Sequence, residues 1–504
     1  MHGAGRLIGT SFVALLVAAA AAAPSPLIDA ERMLVVDGAP RLILGLYEHP
    51  AEDERLRQAV EAGFNLIQCP PDAAALDRVG ALGAKAWVNL GAALDLGCEA
   101  ESRHAALVAT VERLKDHPAL LVWEGPDEAV WNQYWVPYSA VTNRVLPAMR
   151  AVAAQPGDAA AELAALVERA EDSLSRGLPD RFEAQRADFW RLAGGADPEP
   201  AARLDDALDR GRRTADGLAA GIDVVRAADP RHVVWLNHAP CNSLALLTRA
   251  SRAADMVGCD IYPIPANQDV GHSDIGNVWP DCVGGYTDRM RRAAPGKSCA
   301  MVLQGFGWRD LAVLEGREPD PDPRRGRRPF FGESRFMAYN ALLHGANALV
   351  YWGTNFSRHE GSGPATAGES PPADDSRLWR DLLRLARELR ALEPAWLAPA
   401  VRPEPRLVIE EGFGSNDGTG IRLTLRQVGE DHVLVVANET GAGQALAGGL
   451  AFTVHDLPAS LEGRTLHRLG SGESHVVRDR GFRDGIRRFD VHVYATSRRF
   501  EARE

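Results

Sequence analysis

From residue 42 onward the chain alternates short, continuous apolar runs with longer stretches whose apolar residues recur at helical spacing. The runs fall at Leu42–Tyr47, Asn65–Gln68, Ala86–Asn89, Leu120–Trp123, Val233–Asn237, Met256–Asp260, Ala300–Gln304 and Ala348–Trp352. Between them, Ala51–Ala62, Ala73–Leu82, Ala105–Asp116 and Arg335–His344 read as amphipathic helices, and Arg377–Leu392 adds a last one. Strands that are apolar throughout, rather than alternating, are parallel strands covered by crossover helices. Eight such units, with no Gly-rich phosphate loop after any of them, predict a closed (β/α)8 barrel, the TIM-barrel architecture, across residues 33–395. Ahead of it, Met33–Val36 and Arg41–Gly45 flank Asp37-Gly38, a tight-turn dipeptide that predicts a hairpin.

Two stretches break the period. About a hundred residues separate the fourth run from the fifth, and within them Ala159–Ala170, Asp180–Leu192 and Ala201–Ala228 have helical spacing. They predict a helical insertion at about 145–228, beside the top of the fourth strand. Ser357–Ser376, rich in Gly, Ser, Pro and Asp, reads as a loop after the eighth strand. Beyond a boundary at Glu393–Pro405, alternating runs such as Ile421–Leu425, His432–Asn438, Ala451–Val454 and Asp490–Tyr494 predict a β-sandwich over 401–504.

Composition narrows the function. The 504 residues exceed what one compact core serves, and 46% hydrophobic with 25% charged content is that of a folded, enzyme-sized protein. A net charge of -12 with scattered acids points away from nucleic acid and from an anionic membrane surface. Arg6 followed by an apolar run from Leu7 to Ala23, stopped by Pro24-Ser25-Pro26, reads as a signal peptide over 1–23. The expectation is a secreted or periplasmic protein with no membrane span after cleavage. The six cysteines do not fix a connectivity; Cys282 with Cys299 and Cys69 with Cys98 are candidate pairs, while Cys69 and Cys259 at strand ends also read as buried thiols. No C-x-x-C spacing is present, so neither a metal nor another cofactor is expected.

In a (β/α)8 barrel the working groups stand at the C-terminal strand ends, where the loops share one mouth. Those ends deliver Glu48, Asn89, Trp123, Asp127, Glu128, Asn237, His238, Asp260, Tyr262, Gln304, Trp308 and Trp352, with Trp131 close behind the fourth. Aromatic rings stack on the C–H faces of sugars, and amides, carboxylates and histidine bond their hydroxyls. A carbohydrate is therefore the expected partner, and Trp123, Asp127, Asn237, His238, Tyr262, Gln304, Trp308, Trp352, Glu48 and Asn89 are the expected sugar-binding set.

Three segments carry a more specific likeness. His117–Trp123 followed by Asp127-Glu128, Asp255–Pro263, and Tyr339–Trp352 resemble the fourth strand, the sixth strand, and the last helix and strand of the clan A glycoside hydrolases. The resemblance covers most of 33–500 apart from the insertion, and it implies a glycosidic-bond hydrolase with a closing β-sandwich. It places the family's general acid on Glu128, where Asp127 and Glu124 are like-charge neighbours able to raise its pKa. The family's nucleophile, a glutamate ending strand seven, is Gln304 here. A neutral amide cannot play that part, which leaves three readings. Asp260, or else Glu48, is the second carboxylate; the sugar's own group attacks; or the barrel binds glycans without cleaving them. The preferred expectation pairs Glu128 with Asp260. The alternative is a non-catalytic carbohydrate-binding protein.

Overall fold

The computed structural model describes residues 27–97, 99–266, 279–355, 376–411, 420–439 and 449–502. Eight parallel strands close on themselves: β1 (Ile43–Leu46), β2 (Leu66–Cys69), β3 (Lys85–Asn89), β4 (Leu120–Glu124), β5 (Val233–His238), β6 (Met256–Ile261), β7 (Ser298–Gln304) and β8 (Ala348–Trp352). β8 pairs back onto β1 with Ala348 opposite Ile43, so the sheet has no open edge. The expected hairpin is present, Leu34–Val36 against Ala39–Arg41, with Asp37 and Gly38 both at positive φ. It closes the N-terminal end of the barrel, where Leu34 joins the inner core.

Side chains alternate between two cores, as a pleated strand requires. Ile43, Leu66, Trp87, Val122, Trp235, Met256, Val302 and Val350 fill the inside. Leu44, Ile67, Val88, Trp123, Leu236, Val257, Leu303 and Leu349 face outward against the helices. The last of these helices, Arg377–Ala391, shows why the runs form as they do. Ser376 caps its start, Leu378, Leu382, Leu385 and Leu389 lie on its buried face, and its arginines lie on the other.

Helix Ala129–Ala140 follows β4 directly and passes through a π-helical turn, Val141–Val145, into the insertion. Helices Leu146–Ala153, Ala160–Ser175 and Pro179–Ala193 share their own core, including Met149, Leu166, Phe182 and Phe189. The long helix Ala207–Ala228 returns the chain to the barrel. The loop expected at 357–376 lies almost wholly outside the described residues, and the leader expected at 1–23 lies wholly outside them.

The C-terminal part is two antiparallel sheets. One holds strands Arg406–Glu411, Leu450–His455 and Phe482–Ile486. The other holds Ile421–Val428, Asp431–Asn438, Val491–Ala495, Thr465–Arg468 and Ser474–Val476. Leu434, Val436, Phe452, Val454 and Tyr494 pack between the sheets. Val433, Val435, Val491 and Val493 face the other way and merge with the outer barrel core. Arg335 Nη1 donates to the Val491 carbonyl at 2.5 Å across that junction.

One expected cysteine pair does not form. Cys282 and Cys299 are separate buried thiols. The 12-residue helix that Cys282 heads runs back antiparallel to the strands, so its start and the start of β7 lie about 18 Å apart, at opposite ends of the layer. Cys69 is also a buried thiol, its Sγ against the Ala75 carbonyl at 3.8 Å, and Cys98 lies outside the described residues.

Candidate active site

Strand parity decides what reaches the mouth. The inward positions at the C-terminal ends are Tyr47, Asn89, Glu124, Asn237, Asp260, Gln304 and Trp352. Beneath them Trp87 and Trp235 meet edge-to-face at 5.5 Å, and the Tyr47 ring meets each of them at 5.5 and 5.8 Å. These rings form an apolar floor beneath the carboxylates.

Glu124 is fully buried over that floor. Its Oε2 accepts from Trp87 Nε1 and from Asn89 Nδ2, both at 3.0 Å, and its Oε1 is hydrogen-bonded to the Tyr47 hydroxyl. Burial, then the charge of Asp127, pushes its pKa up to about 8, against the hydrogen bonds that favour the anion. Burial thus favours the neutral carboxylic acid at Glu124. The Tyr47 hydroxyl donates to Glu124 Oε1, and Asp127 Oδ1 lies 3.3 Å from the same hydroxyl.

After Glu124 the chain turns sharply. A Cβ on Gly125 would stand 2.3 Å from Leu236 Cδ2, so only glycine fits without displacing β5's side chain. Asp127 and Glu128 follow, and Glu128 caps helix Ala129–Ala140 at φ 47°, the left-handed region that non-glycine residues seldom occupy. Its peptide nitrogen donates to the Asn237 carbonyl at 3.3 Å.

Asn237 joins the acids. Its Nδ2 donates to Asp127 Oδ1 at 2.8 Å and also to Asp260 Oδ1, so these two carboxylates stand within two hydrogen bonds of each other. Asp260 Oδ2 accepts from the Tyr262 hydroxyl at 2.7 Å. Burial raises Asp260 to about 6, restrained by the bonds from Asn237 and Tyr262. Burial, then the charges of Asp260 and Asp127, raises Glu128 to about 9. The nearby charge of Asp260 thus favours the proton on Glu128.

An aromatic wall stands beside Asp260. Tyr262 stacks on Trp352 at 5.4 Å and 19°, and it meets Phe306 and Trp308 edge-on at 5.1 and 6.2 Å. Tyr262, Trp308 and Trp352 are thus brought to the mouth with Glu128, Asp127, Asp260 and Asn237. Asn89 serves it indirectly, by holding Glu124.

Four other expected members lie elsewhere. Trp123 faces outward and donates Nε1 to buried Asp229 at 2.9 Å. His238 faces outward too; its Nε2 lies 3.1 Å from Ser251 Oγ, and burial lowers its pKa to about 4. Glu48 is turned onto the start of the loop after β8. It accepts from the Gly353 peptide and from Thr354 Oγ1 at 3.0 Å, and burial raises it to about 7. Gln304 points inward but is closed over by the chain after β6. Its Oε1 accepts from Ile264 N at 2.9 Å, and its Nε2 donates to the carbonyls of Ile264 and Phe306 at 2.7 and 3.1 Å. With no exposed surface, Gln304 is a clasp and not a sugar ligand. The residues that sequence reasoning missed, Trp87 and Trp235, lie two positions before Asn89 and Asn237. The period of two carries that signal.

No protein-family model matches the chain, and no curated protein does. Comparison with solved structures is informative about the fold. A structure described as a glycoside hydrolase has TM-score 0.50 and 12% identity, covering 93% of this chain and 96% of its own. The β-galactosidase from Bacillus circulans sp. alkalophilus has TM-score 0.50 and 10% identity, covering 92% and 100%. The barrel with its closing β-sheets is therefore an arrangement shared with glycoside hydrolases along nearly the whole chain.

Proposed function

We propose that the protein hydrolyses a glycosidic bond in a poly- or oligosaccharide, with Glu128 as the proton donor and Asp260 as the second carboxylate. One observation carries this reading: Glu128, at the start of the helix after β4, belongs to the same carboxylate cluster as Asp260, which Asn237 and Tyr262 hold by hydrogen bonds, and burial with the neighbouring charges favours the proton on Glu128. Glycoside hydrolysis needs that division of labour, an acid for the leaving oxygen and an anion for the developing positive charge at the anomeric carbon. Glu128 donates to the glycosidic oxygen as the bond breaks. Asp260, oriented by Asn237 and Tyr262, either attacks the anomeric carbon or takes a proton from the water that does. Trp308 and Trp352 supply stacking surface beside it. The apolar run at 7–23 supports export of the protein from the cytoplasm.

A second reading rests on Gln304. Where the resemblance puts a nucleophile, the chain has a structural clasp, which suits a barrel that binds glycans and does not cut them. A glycan-release screen with product analysis separates the two. Hydrolysis that Glu128→Gln abolishes, with binding retained, supports the enzyme, and the anomeric configuration of the first product assigns the role of Asp260. Binding without release of reducing sugar by the wild-type protein would overturn the hydrolase reading.

A further inference from the structure

Helix Ala129–Ala140 carries a row of rings that the mouth does not use. Counting from Glu128, Trp131, Trp135 and Tyr138 fall at positions three, seven and ten, one face of a helix. Trp131 and Trp135 are nearly parallel, 16° apart with centroids at 6.1 Å, and Trp135 and Tyr138 lie at 29° and 5.9 Å. Full face-to-face contact would bring ring atoms to about 3.5–4 Å with little offset. The rings therefore overlap like roof tiles, and each leaves part of a face uncovered. Trp135 is 47% exposed and Trp131 half-buried, and neither belongs to a hydrophobic core. Tyr134 stacks on Tyr138 at 5.4 Å, and both pack against the insertion's core, which anchors the far end of the row.

At 1.5 Å per residue the row extends about 15 Å from the proton donor, several sugar rings long. Exposed, tiled indoles on a helix are a cost to a folded chain unless something covers them. Their continuity with Glu128 says what does. We infer that Trp131, Trp135 and Tyr138 are binding subsites for an extended, uncharged polysaccharide chain that leads into the mouth. The inference rests on the glycosidase reading for the direction of that chain. Lack of charge on the glycan follows from the anions at its destination, since Asp127 and Asp260 are bridged by Asn237 in one cluster and the whole chain carries -12. A single bound sugar would need only the mouth; a row this long is built for a polymer.

The test is affinity electrophoresis of the full chain in gels containing lichenan, galactan or xylan, with polygalacturonate as the anionic control. Wild-type protein is retarded by at least one neutral polymer. Trp135→Ala weakens that retardation roughly tenfold, Trp131→Ala/Trp135→Ala weakens it further, and Trp135→Phe restores most of it. Unchanged retardation in the double variant, retardation by polygalacturonate alone, or no retardation by any polymer overturns the inference. So does a dimer in sedimentation that Trp135→Ala dissolves, because the row would then be covered by a second copy. If the neutral polymer retards the wild-type protein through these rings but is never cleaved, the hydrolase reading falls and the subsites stand. Near-UV circular dichroism of each variant confirms that the insertion remains folded.

Discussion

The hydroxyl of Tyr262 donates to Oδ2 of Asp260 across 2.7 Å, and that bond helps keep a buried carboxylate charged. Removing it leaves the burial in place and takes away part of the compensation. Tyr262→Phe therefore raises the pKa of Asp260, by about one unit for a hydrogen bond to a charged group. The acid limb of the rate profile should move to higher pH with the basic limb in place. An acid limb that does not move would mean another group sets it.

Activity should follow a bell in pH. Below about 6 Asp260 gains a proton and loses its charge; above about 9 Glu128 loses the proton it must donate. Glu128→Gln should cost roughly 10²–10⁴ in kcat and remove the basic limb. Asp260→Asn should remove the acid limb. Initial rates on a small aryl glycoside across pH 4 to 10 check both. An unchanged basic limb in residual Glu128→Gln activity would reassign the donor.

Glu124 links the site to stability. Its carboxyl ionises near 4.5 in an unfolded chain and at about 8 in the fold. Between those values the native state holds a proton that the unfolded state does not. Stability therefore falls as pH rises through that window and levels off above it. The loss is a few kcal/mol, on the order of 1.4 per unit of separation. Glu124→Gln, which cannot ionise, should be less sensitive. Urea unfolding at pH 5 and pH 9 measures this, and an equal pH dependence in variant and wild type would show that Glu124 does not hold the proton.

Gln304→Glu tests the clasp. A carboxylate there would face the carbonyls of Ile264 and Phe306 without the amide protons that now satisfy them. The change should destabilise by about 2–4 kcal/mol and leave glycoside turnover per folded molecule no higher. A stable variant with increased kcat would instead mean that position 304 reaches the substrate.

The barrel was legible because its strands are buried on both faces. Most of the eight runs are apolar up to a polar residue at the C-terminal end, with no alternation between faces, and that is the pattern of a covered parallel sheet. The mouth was legible only by strand end, not by direction. Trp123 and Glu124 are neighbours, yet one packs against Asp229 outside the barrel and the other sits at its centre. Asn237 and His238 divide in the same way. Parity corrects these two cases. It does not correct Gln304, which faces inward and is taken by the backbone of Ile264, forty residues away in sequence. Glu48 is likewise engaged by Gly353 and Thr354, some three hundred residues on. Contacts of that range leave no local pattern to read.

Glu128 is fixed to two bodies at once. Behind it lies the rigid end of β4; ahead, the helix it caps continues through the π-helical turn at Val141–Val145 into a bundle with its own core. Glu128, the proposed proton donor, thus sits at the pivot of a lever whose long arm is the insertion. A tilt of the bundle by a few degrees would re-aim the acid while Asp260, anchored on β6, kept its place. Grafting the insertion of a relative onto this barrel would therefore exchange more than a surface: it would reset the alignment between donor and bond.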